Sequence, residues 1–216
     1  MSRRRRVVLA LVLIAVVGTA LLFGTAPGRR VQFVLGGALV NLGYRFQDHL
    51  EEYDFETEGE HTPAEVWTAL ERHNELAAGV REWFPRSVRH PLVAVVACMD
   101  ARIDTQELTG DTRRFYYVIR TAGSVLEHKE QEMLELAVES GVKVVVFTTH
   151  SDCAAERVAA SAEEGPRYPA LVEALGRREA TIAEFMARPG IAPRIERGEL
   201  LVKRVAIDTH TRRMGE

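Results

Sequence analysis

The chain has 216 residues, enough for one ordinary domain plus an extension. Its 46% apolar content excludes a wholly disordered chain. With 28 basic and 31 acidic residues the net charge is −3, so nothing points to nucleic acid and no such partner is expected. Its two cysteines, Cys98 and Cys153, leave no separate disulfide framework once both are assigned to one site.

Arg3 to Arg6 are followed by an uncharged run from Val7 to Ala26 rich in Val, Leu, Ala and Ile. A bilayer core of roughly 30 Å needs about 20 helical residues, which this run reaches. The competing reading is a cleaved signal peptide, with Gly24-Thr25-Ala26 as a small-x-small site. Pro27 directly after it should hinder cleavage. Residues 1–30 are therefore expected to be a cytoplasmic arginine-rich stub and a transmembrane anchor. The arginines should keep their side cytoplasmic and place the rest of the chain outside, against a weaker opposing pull from Arg29 and Arg30. An exported soluble form after cleavage is the alternative. Residues 31–61 read as a juxtamembrane segment and linker: Val31–Gly43 is apolar but too short to span, and Asp48–His61 is acidic.

Residues 62–216 read as one α/β domain. Thr62-Pro63-Ala64-Glu65 is a helix start, with Thr62 as N-cap and Glu65 reaching back. Leu92–Ala97 is a short apolar run after Pro91, expected to be a parallel strand buried on both faces. Asp104–Glu107 opens a short helix, Phe115–Ile119 is a strand, and Arg120–Ser124 is a tight turn of small residues. Ala122 and Gly123 in that turn are candidates for the wall of a substrate pocket, and an ordinary strand-to-helix turn reads equally well. Glu130–Ser140 is a helix stopped by Gly141, and Val142–Thr149 is a second buried strand. Helices over 154–164 and 168–188 follow, with Arg177, Arg178 and Arg188 on the solvated side. Leu200–Ile207 is a last strand whose polar interruptions suggest an edge, and His210 in the polar tail is expected to be idle.

The chemistry gathers where the two buried strands end. The first runs into Cys98-Met99-Asp100-Ala101-Arg102, and ligands bind at the carboxyl ends of strands in open α/β sheets. The second ends in His150-Ser151-Asp152-Cys153. Cys98, His150 and Cys153 together offer two sulfurs and one nitrogen, both donor types favoured by zinc. Three protein ligands leave a fourth position open, as catalytic zinc sites do. The rival is a Cys98–Cys153 disulfide, the usual fate of two cysteines in an exported domain. That pairing explains neither His150 nor the Asp100/Arg102 pair.

At Cys98–Arg102, Gly110-Asp111, Val118–Gly123 and His150–Cys153 the chain resembles the β-class carbonic anhydrases, from roughly Pro63 to the C-terminus. The resemblance implies a mainly parallel central sheet flanked by helices, here preceded by the transmembrane helix. It implies Zn²⁺ on Cys98, His150 and Cys153, with CO₂ and bicarbonate as the small-molecule partners. Asp100 and Arg102 would be the catalytic pair, and the assembly a homodimer or larger. A second state is also implied, in which Asp100 leaves Arg102 for the fourth zinc position. Thr121 stands where the family usually has Asn, and Thr149 and Ala154 where it has Gly. Two further readings are carried: hydrolysis of carbonyl sulfide or carbon disulfide on the same zinc, and a membrane-tethered zinc module with weakened catalysis.

Overall fold

β1 (Val93–Cys98) lies between two parallel partners, β2 (Tyr116–Thr121) and β3 (Val144–His150). Ala94 and Val96 fill a core on one face of the sheet, Val95 and Ala97 a core on the other. Burial on both faces is why the run is continuously apolar. The computed structural model that shows this describes residues 3–47, 62–84, 90–109 and 116–215. The chain divides into two units, residues 1–85 and 86–216.

In the second unit five strands run in the order β2-β1-β3-β4-β5, with β4 at Leu201–Ile207 and β5 at Met214–Gly215. The first four are parallel, and β5 is antiparallel to β4. The chain steps from β1 outward to β2, then crosses back over β1 to β3. Such a reversal opens a crevice at the carboxyl ends of the strands, and Cys98 and His150 are the last residues of β1 and β3. β5 pairs only with Ala206 and Ile207, so most of β4 is an edge, as its Lys203 and Arg204 suggest.

One face of the sheet is covered by α5 (His128–Glu139) and α7 (Pro169–Ala187), which contribute Leu134, Val138, Ile182 and Phe185. Phe147 of β3 meets Phe185 edge to face, ring centroids 5.9 Å apart. On the other face Ile103 and Ile207 pack with Val95 and Ala97, and Leu108 of α4 (Thr105–Thr109) closes over them.

Several boundaries differ from those expected. α5 begins at His128 because the Glu130 carboxylate accepts from the Glu127 amide at 3.1 Å, fixing the cap earlier. α6 (Ala154–Ala160) stops four residues short of Glu164. There Ser161 Oγ accepts from the Glu164 amide, and Gly165-Pro166-Arg167 forms a 3-10 turn. α8 (Ala192–Glu196), with proline in its first turn, was not anticipated.

The first unit is helical. α1 (Arg3–Gly24) contains the one helix among the described residues long and apolar enough to cross a membrane, Arg4–Gly24, with a mean hydropathy of 2.8. α2 (Ala26–Gln47) runs through the apolar segment Val31–Gly43 and past both of its ends. The break between them is made at Thr25, whose Oγ1 accepts from the Gly28 amide at 3.1 Å. A Cβ on Gly28 would stand 2.2 Å from the Leu21 carbonyl oxygen. α3 (Pro63–Trp83) has the expected start: Thr62 and Glu65 form a reciprocal capping box. The acidic stretch 48–61, and with it Gly110–Phe115, lies outside the described residues.

Candidate metal centre

Cys98 arrives at the end of β1, His150 at the end of β3, and Cys153 caps α6 one turn later. One ligand atom from each of the three lies within 4.8 Å of the others, and all three residues are buried. The sulfurs are 4.0 Å apart and the cysteines are free thiols, so the disulfide reading fails for this structure. A left-handed residue, Asp152 with φ 55°, turns the chain between His150 and Cys153.

His150 is set for a ligand. Its Nδ1 lies 2.9 Å from the Ser151 carbonyl oxygen. A carbonyl only accepts, so Nδ1 carries a proton and Nε2 is the nitrogen left to face a ligand. That Nε2 is buried and has no hydrogen-bond partner. A buried imidazole nitrogen left bare between two thiols is what a metal would complete, so the donor set fits Zn²⁺. Burial pushes the Cys153 thiol up, and Cys98 beside it adds to this. The backbone amides of Glu156 and Ala155, at the start of α6, pull the other way.

Asp100 and Arg102 occupy the turn that leaves β1. Arg102 Nε donates to Asp100 Oδ1 at 3.0 Å and its terminal nitrogen to Oδ2 at 2.8 Å, a two-pronged pair. The Arg102 amide adds a third bond at 2.9 Å. The guanidinium also donates to the Asp152 carbonyl at 3.0 Å, tying the pair to the loop between His150 and Cys153. Ile103 behind it is buried and anchors the turn. Hydrogen bonding to the Arg102 side chain, set against partial desolvation, holds Asp100 at about 2, so it stays ionised.

Ala122 and Gly123 form a 3-10 turn directly after β2, and Thr121 is in register with Cys98. Gly123 has φ 61° and Ser124 φ 58°. A Cβ at Gly123 would stand 2.3 Å from Leu175 Cδ2, so Leu175 would have to swing aside, and the left-handed φ itself favours glycine.

Two arginines expected on the solvated side of α7 are engaged. Arg178 donates to the Gly123 carbonyl at 3.2 Å and to the Glu156 carboxylate, linking this turn to the first turn of α6. Arg188 is held by Glu135 at 2.5 Å. Arg177 is exposed, as read from the sequence. His210, expected to be idle, is exposed, with its Nε2 3.6 Å from the exposed Asp152 carboxylate. Partner and arginine stand far apart in the chain, and spacing carries no signal of such contacts.

The sequence model of the family described as "Carbonic anhydrase" matches residues 93–207. No curated protein sequence matches the chain. Among solved structures, one of two tetrameric β-carbonic anhydrases from Sordaria macrospora aligns with a TM-score of 0.54 at 20% identity, covering 70% of this chain and 95% of that one. The carbonic anhydrase from Streptococcus mutans aligns at 0.52 and 18%, covering 68% and 96%. The β-carbonic anhydrase CcaA aligns at 0.52 and 16%, covering 81% and 86%. The shared parallel fold, the family match over β1 to β4 and the buried Cys-His-Cys cluster agree, and the chain belongs to the carbonic anhydrase family in its β class.

Proposed function

We propose that this protein catalyses the zinc-dependent, reversible hydration of carbon dioxide to bicarbonate and a proton. The observation that carries the reading is the bare, buried Nε2 of His150 grouped with two thiols beside a locked carboxylate–guanidinium pair. Cys98, His150 and Cys153 would hold the zinc, which when bound makes hydroxide available near neutral pH for attack on the carbon of CO₂.

The chain's own groups set direction and charge. Asp100 is acceptor-only, because Arg102 keeps it ionised. It therefore takes the hydrogen bond of the attacking hydroxyl and orients its lone pair toward the substrate, and it does not store the released proton. Arg102 fixes the carboxylate by two prongs and fixes itself on the Asp152 carbonyl. We read the Ala122-Gly123 turn, which follows β2 directly, as the wall of the pocket for a small, linear substrate.

We further propose that α1 anchors the protein in a membrane with Arg3–Arg6 on the cytoplasmic side and the zinc domain outside. We also propose an assembly of two or more copies, a reading supported by the tetrameric state named for the Sordaria macrospora relatives.

The test is zinc content and CO₂ hydration on the full chain in detergent. One zinc per chain with stopped-flow hydration activity is expected. Stoichiometric zinc without hydration would overturn the reading.

A further inference from the structure

The metal centre makes no use of α2, yet α2 is long, unusual in charge and apolar along one side. Up to Gln47 every charged side chain is an arginine: Arg3 to Arg6, Arg29, Arg30 and Arg45. The first carboxylate is Asp48, although the whole chain carries a net charge of −3. The amino-terminal segment therefore stands against the charge of the rest, an asymmetry suited to an anionic surface.

Val31, Leu35, Leu39, Leu42 and Phe46 follow one another at helical spacing and make one stripe along α2. All five are exposed in the structure. Arg30, Asn41 and Arg45 fall on the other side, with Tyr44, a residue type that sits at headgroup level. Phe33, Val34 and Val40 interrupt that polar arc, which places the helix at the boundary of headgroups and acyl chains rather than above it. The stripe does not mark a second span. The uncharged run 31–44 is about 21 Å long as a helix, short of a bilayer core of roughly 30 Å.

The elbow between the helices turns α2 aside. The Gln32 side-chain nitrogen donates to the Leu22 carbonyl. Ten residues along one straight helix would separate their backbones by about 15 Å, so α2 leaves the line of α1. With α1 crossing the bilayer, a helix bent away from it runs along the surface.

We propose that α2 lies flat in the headgroup layer where α1 leaves the membrane, its stripe toward the acyl chains, and that Arg29, Arg30 and Arg45 bind anionic phospholipid headgroups. The guanidinium fork matches phosphate geometry. The inference rests on the reading of α1 as a membrane anchor and takes nothing from the zinc site. Arg45 is the telling residue. In an upright α2 it would stand about 24 Å above Arg29, roughly three Debye lengths at physiological salt; in a flat α2 it meets lipid.

The test uses the full chain with both tryptophans replaced, Trp67→Phe and Trp83→Phe, in vesicles of mixed phosphatidylcholine and phosphatidylglycerol. A single tryptophan is then added at Phe46→Trp on the stripe or at Asn41→Trp opposite. Lipids brominated near the headgroup end of the acyl chain should quench Phe46→Trp, and iodide in the water should quench Asn41→Trp. Brominated phosphatidylglycerol should quench Phe46→Trp about fivefold more effectively than equally brominated phosphatidylcholine at the same mole fraction. Adding Arg45→Gln should bring that ratio close to one. Equal quenching of Phe46→Trp by the two lipids would overturn the proposal. So would free access of iodide to Phe46→Trp, strongest quenching by bromine at the chain ends, or protection from both quenchers, the mark of a protein cover such as a second copy. Flotation with the vesicles is read separately. A chain that fails to float sinks the anchor reading and this one with it; a chain that floats with Phe46→Trp in water sinks this one alone.

Discussion

Arg102 grips both oxygens of Asp100, and that grip limits what the carboxylate can do. Asp100→Asn should retain one zinc per chain and lose hydration on the order of 100-fold; full activity in this variant would remove Asp100 from the mechanism. The pH dependence follows with its sign. Asp100 is held at about 2 against an ordinary 3.8. The stability its pairing contributes is therefore complete above about 3.8 and is lost as the pH falls through about 2. Carboxyl carbon shifts followed by NMR should show this low midpoint. Activity should nevertheless fall between alkaline and mildly acid pH. Two thiolates would offset the charge of the proposed zinc, so water there should be less acidic than at a three-histidine site, where it titrates near ~7. A flat rate profile across that range would refute this. Cys98→Ser or His150→Ala should abolish zinc binding, checked by metal analysis. The clustering of Cys98, His150 and Cys153 was legible because they fall in two short motifs at strand ends. Arg178 was not, because Gly123 and Glu156 reach it only through the fold.

Strands were the easiest elements to read. Short, β-branched apolar runs such as Val93–Cys98 suit a sheet covered on both faces. Helix ends were harder, because caps such as Glu127 with Glu130 and the Ser161 turn depend on side-chain bonds that composition does not reveal. The turn at Ala122–Ser124 read equally well as a pocket wall and as an ordinary connection, and its consecutive left-handed residues now make a sharper statement possible. Gly123→Ala adds a Cβ in a left-handed conformation and against Leu175. It should cost about 1–3 kcal/mol of stability, measured by denaturant unfolding. Leu175→Ala in the same chain should recover the steric share only, since φ is unchanged.

For the whole molecule, the anchor reading makes the side of the membrane a measurable quantity. Protease added outside intact cells should cut the zinc domain, and moving the four arginines from the N-terminus to the far flank of α1 should abolish that cutting. The fold class was legible because each motif sits where a strand of an open sheet must end. The course of residues 26–47 was not, because Gly36-Gly37 lowers helix propensity while the structure carries one helix through them.

The sulfurs of Cys98 and Cys153 stand 4.0 Å apart. In an oxidising compartment such neighbours are natural partners for each other. With the domain exported and zinc-loaded as proposed, maturation would be a race between loading and oxidation. Protein stripped with a chelator and left in oxygen should lose both titratable thiols together and refuse zinc until a reductant is added, whereas loaded protein should keep them under the same oxygen.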